Sequence, residues 1–261
     1  MSIDNPGGID IITLADRWKH RLTITYIALY PGVFDVNSNI ETGTAAGGIM
    51  YEFKNKTQKM VLTAAFAAII IVMANVPFLG YIRLAVVHAT TLHIPVILGA
   101  ILMGPGSGAF LGFVFGLTSF LQATFQPNIT SFCFSPFYSV GDFHGNFFSL
   151  IVCFVPRILI GLTSYFVFAG LMKVIKGKRK VKETVALPVA GLVGSMTNTI
   201  FVMSGIYLFF GKQYMEVLDK VGSLFAAIMA IVIGNGVPEA IVCALLVTLI
   251  GKALLHFVNV Q

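Results

Sequence analysis

The chain has 261 residues, of which 57% are hydrophobic and 11% charged. A soluble domain carries about 25% charged residues, so this composition excludes an ordinary soluble fold and points to an integral membrane protein. The formal charge of +6 sits mostly in basic loops, where it speaks to orientation across a bilayer and not to nucleic-acid binding.

The motifs exclude further classes. Cys133, Cys153 and Cys243 are too few and too scattered for a disulfide framework or a thiolate metal site. The five histidines show no ligand spacing. No Walker A loop occurs, so the chain is not expected to hydrolyse ATP.

Residues 1–49 differ from the rest. Asp4, Asp10, Asp16, Asp35 and Glu41 stand against Arg17, Lys19 and Arg21, around the one tryptophan, Trp18. The apolar run Leu22–Leu29 is too short to span a membrane and lacks signal-peptide order. Ala46-Gly47-Gly48-Ile49-Met50 reads like a translated purine-rich ribosome-binding element ahead of a start codon. Met50 is therefore the expected true start. Residues 1–53 are expected to be a disordered extension or a mis-assigned start, and 54–261 the folded domain. The intact mass of protein expressed from its own upstream DNA decides this; a mass matching Met1–Gln261 ends the idea.

Six apolar runs follow. Lys54, Lys56 and Lys59 precede the first, Met60–Pro77, and mark that end as cytoplasmic. Ala64 and Ala68 give it a small-xxx-small strip, a smooth face for helix contact. The second run, about 89–103, contains Pro95 and is expected to return inward. Gly104-Pro105-Gly106-Ser107-Gly108 then reads as a tight turn at one membrane face. The third run, about 108–123, places Gly108, Gly112 and Gly116 on one helix face, where a neighbouring helix can approach closely.

Residues 124–145 lack Lys and Arg and are rich in aromatic and turn residues. A loop this long is usually functional or disordered, and its apolar content favours a packed external lid. Phe132, Phe134, Phe137, Phe143, Phe147 and Phe148 fit lid packing better than a stacking cage. The fourth run, about 146–172, ends in six cations from Lys173 to Lys182. The fifth covers about 184–210 and the sixth about 223–251. From Met50 on, ten Lys/Arg fall on the side read as inside, three (Arg83, Lys212, Lys220) outside, and Arg157 within a span. The predicted fold is an all-α bundle of six transmembrane helices with both termini cytoplasmic.

Two intramembrane charges stand out. A charge at mid-membrane costs at least about 2.5–3.5 kcal/mol, so Arg157 and Glu239 should face protein or water and have partners. Asn146 lies three turns above Arg157 on one face. Asn235 lies one turn before Glu239 on another. The two faces can converge on a polar site opening outward. Arg157 then binds a ligand carboxylate, as its planar fork suits. The alternative is a buried Arg157–Glu239 ion pair that only fixes packing, and both can hold together. His88, Thr90, Thr91 and His93 lie at the outer end of the second run, with Thr91 and His93 the candidate contacts. Asn128, Thr130 and Tyr138 offer polar groups from the lid. Asn198 sits near the middle of the fifth run, where an amide needs a partner.

From about Lys54 onward the chain resembles the substrate-binding S component of energy-coupling factor (ECF) vitamin transporters. The resemblance rests on TLHIPVILGAILMGPGSGAFLGFVFGL, on FVPRILIGL and on the alanine-rich first helix. The hairpin and the PRILIGL run look most like the pantothenate-type S component. The resemblance implies a bacterial plasma-membrane vitamin receptor that is not an enzyme. It would bind its vitamin from outside, topple in the bilayer and release it inward. Its partners would be a transmembrane coupling subunit (EcfT) and two cytoplasmic ATPases (EcfA and EcfA-prime), which use ATP and Mg; this chain itself needs no cofactor. The alanine motif that docks on the coupling subunit maps to Ala64 and Ala68. The leader 1–49 departs from the family. The alternatives are another vitamin (hydroxymethylpyrimidine, pyridoxine, riboflavin or folate), of which a neutral one such as hydroxymethylpyrimidine or pyridoxine would leave Arg157 a structural role, or a stand-alone secondary transporter. The latter would be expected to show inverted repeats, and none is evident.

Overall fold

The Ala-rich run after Lys56 has no proline or glycine, and it forms α1 (Lys56–Asn75). Its buried positions, Phe66, Ala67, Ile70 and Ala74, recur at helical spacing along one face. Ala64, Ala65 and Ala68 lie on the exposed side. The computed structural model describes residues 56–76, 80–84, 87–217 and 223–259. The expected extension 1–53 and start at Met50 lie outside the described residues. The helices belong to one compact unit within Gly43–His256.

The second element corrects the expectation. The chain after α1 forms a hairpin of β1 (Tyr81–Leu84) and β2 (Val87–Thr90), with Tyr81 opposite Thr90 and Leu84 opposite Val87. The residues taken for the first turn of the second span therefore lie in a strand, to which β-branched Val87 and Thr90 are suited. What remains helical is α2 (His93–Met103), 11 residues or about 16 Å long. The hydrocarbon core is about 30 Å thick, so α2 cannot cross it alone. All its residues are buried, and it forms the centre of the unit. Among the described residues, five helical segments, not six, are long and apolar enough to cross a membrane.

The expected five-residue joint is also shorter. Gly104 alone stands outside the helices, at φ +92°, a conformation that favours glycine. Pro105 opens α3 (Pro105–Phe125) at its first turn, where a missing N–H costs nothing. The glycines of α3 then face α4 (Phe147–Val174). A Cβ on Gly112 would strike the backbone carbonyl of Arg157 and lie 2.8 Å from Ile158 Cα. One on Gly108 would meet Ala100 Cβ at 2.6 Å and the Gly161 carbonyl at 3.1 Å, and one on Gly116 the Phe154 ring at 2.8 Å. The glycine stripe therefore packs helix on helix, and it fixes the backbone of Arg157.

Between α3 and α4 the chain makes a short 3-10 turn (Ser131–Cys133) and a small hairpin of β3 (Ser139–Val140) and β4 (Phe143–His144). Phe132 and Cys133 are fully buried here, against Val152 of α4 and Val202, Ile206, Phe210 and Tyr214 of α5 (Arg179–Val217). Burial pushes the Cys133 thiol pKa well up, which keeps it protonated and inert. Asn146 caps α4: its side chain accepts from Phe148 N at 2.9 Å, while Ser149 Oγ accepts from Asn146 N at 3.0 Å. Ser149 Oγ also donates to the Phe132 carbonyl at 2.7 Å, which ties the loop to the helix start. The loop is thus packed around Phe132 and Cys133, while Phe125, Ile129 and Phe137 stay exposed.

The last apolar run is broken. It forms α6 (Leu224–Ile231), a π-turn (Val232–Gly236) and α7 (Val237–Asn259). Pi-turns inside α-helices occur often at functional sites. This one lies three residues before Glu239.

Candidate functional site

The registers of four helices bring the predicted polar residues to one region. A Cβ on Gly194 of α5 would strike Ser164 Oγ of α4 and lie 2.9 Å from Ile97 Cδ1 of α2. Ile97, Ser164 and Gly194 thus form one layer. His93 stands one turn from Ile97, Asn198 one turn from Gly194, and Arg157 two turns from Ser164, all toward the hairpin end. Gly236 packs on Thr199, its absent Cβ 2.6 Å from Thr199 Cγ2, which sets the π-turn and Glu239 beside α5.

Arg157 is buried, with 8% exposure. Its guanidinium carbon lies 5.1 Å from the ring centroid of Phe134, in the loop, and 5.8 Å from that of Phe115, on α3. Nη1 donates to the Val152 carbonyl at 2.8 Å. That carbonyl is available because Pro156, four residues on, has no N–H to give it. The Pro156-Arg157 dipeptide thus creates an acceptor and supplies its donor. Nε is buried and has no hydrogen-bond partner. With Nη1 held by the helix, the side-on edge of Nε and Nη2 is the part left for a planar anion.

Glu239 belongs to a different set of contacts. Its Oε1 accepts from Thr90 N at 3.1 Å and from Thr90 Oγ1 at 2.8 Å. His93 Nδ1 lies 3.5 Å from the same oxygen. Arg179 and Glu183 form an ion pair elsewhere, at the start of α5, while Arg157 and Glu239 are not joined by a salt bridge. The alternative of a buried Arg157–Glu239 ion pair is therefore not what forms; each charge has its own partners.

The remaining candidates divide. Asn198 Oδ1 and His93 Nε2 are buried without partners, like Arg157 Nε. Asn235 lies half-buried in the π-turn. Thr91 turns to Gly80, whose carbonyl accepts from Thr91 N at 3.0 Å. Asn128 is exposed, and its Oδ1 accepts from Thr130 N and Oγ1 and from Ser131 Oγ within its own turn. Asn146 is exposed and occupied by the α4 cap. Tyr138 packs on the buried loop cluster. The choice of Thr91 over Thr90 missed the residue that bonds Glu239. Ser164 and Ser195, each with a buried unpaired Oγ, were also missed. Ser195 stands one turn from Asn198, a helical spacing that could have marked it.

An unpaired buried polar atom costs about 1–3 kcal/mol. Here such atoms recur on α2, α4 and α5 within two turns of one another. They suit a ligand that brings a carboxylate and hydrogen-bonding groups into an apolar bundle.

A substrate-receiving membrane bundle is the class that these features define. The chain belongs to the family of substrate-specific components of ECF transporters, whose model matches residues 58–251. It is similar to the pantothenic acid transporter PanT of Lactococcus lactis subsp. cremoris (strain MG1363), with 37% identity over 77% of this chain and 95% of that protein. It is also similar to the pantothenate transporter PanT of Leuconostoc mesenteroides subsp. mesenteroides, with 30% identity over 77% of this chain and 93% of that protein. It is thus a multi-pass plasma-membrane transport component and not an enzyme.

Proposed function

We propose that this chain captures pantothenate from outside the cell and delivers it inward, with energy from separate ATPase subunits. The buried, unpaired Nε of Arg157 carries the proposal. Pantothenate has one carboxylate, an amide and two hydroxyls. Arg157 takes the carboxylate on its Nε/Nη2 edge, and Asn198 and His93 meet polar groups further along the ligand. Asn235 and Glu239 border the same region. Both relatives carry pantothenate in their names, which supports the choice of vitamin.

The hairpin end, with the loop before α4, faces outward, and the end bearing Lys173–Lys182 faces the cytoplasm. Both termini are cytoplasmic. The coupling subunit docks on α1 at Ala64 and Ala68, whose exposure beside Ala65 supports that use. ATP and Mg are used by the two ATPases.

Two measurements test this. Purified protein should bind pantothenate, and Arg157→Ala should lose that binding; a mutant that binds as tightly as wild type removes Arg157 from the site and favours a neutral vitamin. Vesicle uptake should require the coupling subunit and ATPases; uptake that persists without them makes the chain a stand-alone carrier.

A further inference from the structure

Resting on the pantothenate reading, we infer that His93 is the residue that selects a ligand hydroxyl, through a lone pair on Nε2 whose placement is set by Glu239 and Thr90. The argument starts at Nδ1. Two oxygens face it, Glu239 Oε1 and Thr90 Oγ1, each at 3.5 Å. The Thr90 hydroxyl hydrogen is committed to Glu239 Oε1, at 2.8 Å, so Thr90 Oγ1 presents only lone pairs to the ring. Both neighbours of Nδ1 are acceptors, and Nδ1 must carry the hydrogen. A neutral imidazole has one N–H, so Nε2 is then an acceptor. Nε2 is buried and has no partner, in a side chain with 1% exposure. A protonated ring would leave a charged donor orphaned at that atom, which costs more than an orphaned lone pair.

A carboxylate cannot donate to that lone pair, and the ligand's carboxylate goes to Arg157. A hydroxyl can donate. Glu239 and Thr90 are positioning residues: Thr90 ends strand β2, so the hairpin and α7 meet on the ring that reads the ligand. A site built to receive a hydroxyl rejects an analogue lacking it, because the acceptor is then left unpaired.

The test is a cycle between ligand and protein. Pantothenate and its two monodeoxy analogues are titrated into wild type and into His93→Ala, in the full chain in lipid nanodiscs. One deoxy analogue should bind wild type about tenfold more weakly than pantothenate, and the same comparison should differ by less than about twofold in His93→Ala. Equal losses in both proteins for both analogues overturn the assignment. A second readout needs no ligand and survives failure of the pantothenate reading or poor folding of the variant. In wild-type protein labelled with nitrogen-15 histidine, the His93 Nε2 resonance should be that of an unprotonated nitrogen, assigned by its absence in His93→Asn. A protonated Nε2, neutral or cationic, overturns the inference. In Glu239→Ala both tautomers should become populated; one unchanged tautomer removes Glu239 from the arrangement. If wild type fails to bind pantothenate while Nε2 is unprotonated, the choice of vitamin falls and the acceptor stands.

Discussion

Two arginines and two glutamates in this molecule face opposite fates. At the start of α5, Arg179 Nε donates to Glu183 Oε1 at 2.8 Å, one turn apart on one helix. Arg179 is nearly half exposed. Nothing prevents that pair from closing, and it closes. In the bundle, Arg157 and Glu239 lie on different helices and do not close. Arg157 is tied to a carbonyl of its own helix, and Glu239 to a threonine and a histidine. Two opposite charges in a low-dielectric interior attract strongly, so keeping them apart requires stronger local commitments. Pro156 supplies one by freeing the Val152 carbonyl. Thr90 supplies the other with two donors. What is left is a cation with an unpaired Nε and an imidazole with an unpaired Nε2, which is the feature on which the proposed receptor role rests.

The largest effect should come from the unpaired arginine. Arg157→Ala should weaken pantothenate binding by at least about thirtyfold, because a buried charge pair is worth about 2–5 kcal/mol to lose. Arg157→Lys should recover little, since an ammonium cannot present the side-on fork. Calorimetric titration reads both. Retained affinity in the lysine variant would show a point charge to be enough, and would weaken the contrast between the two arginines.

Next comes the glycine that lets α3 meet the backbone of Arg157. Gly112→Val should lower stability by about 1–3 kcal/mol and displace α4. A thermal-unfolding scan in detergent should show a clear drop, with pantothenate binding reduced alongside it. Gly106→Ala is the control, since its Cβ has nothing within 4 Å. Equal scans for the two variants would mean that α4 is held by something other than the stripe.

How much of this was readable beforehand depended on the kind of signal. Arg157 and Glu239 were found because a charge in an apolar run is rare, whatever its partners. The glycine stripe was found because its spacing matches a helix face. The length of α2 was not, because Ala89-Thr90-Thr91 continues an apolar run, and the pairing of Tyr81 with Thr90 is set by contacts across the hairpin. That mistake also hid Thr90: with the residue placed on a helix, nothing told it apart from Thr91. The tie from Arg157 to Val152 was legible in principle, because a proline inside a helix frees the carbonyl four residues before it, and the arginine follows that proline directly. The commitment of Asn146 to a cap was likewise legible from Ser149 three residues later.

Pro156→Ala should act through that tie. The new N–H competes with Arg157 Nη1 for the Val152 carbonyl, and the guanidinium loses its anchor. Affinity for pantothenate should fall about threefold to tenfold, the scale of one hydrogen bond, while thermal stability stays level or rises as the helix gains a backbone bond. Affinity and stability falling together would mean that the proline shapes the helix and does not aim the arginine.

The smallest effect should be at the closed pair. Arg179→Ala removes a half-exposed partner from Glu183, whose own side chain is 9% exposed, so the stability loss should lie at the upper end of the range for exposed pairs, about 1 kcal/mol. Lys180, three residues before Glu183 and so on the same helix face, keeps a cation near that carboxylate and limits the loss. Pantothenate affinity should stay within about twofold of wild type, because Glu183 lies about 22 Å along α5 from Asn198, and distant sites add independently. High salt should shrink that stability difference only in part, since a pair with one buried partner is screened less than a surface pair. A change in affinity here would mean that the basic end senses the ligand. The contrast between a paired and a reserved arginine would then describe two ends of one coupled element.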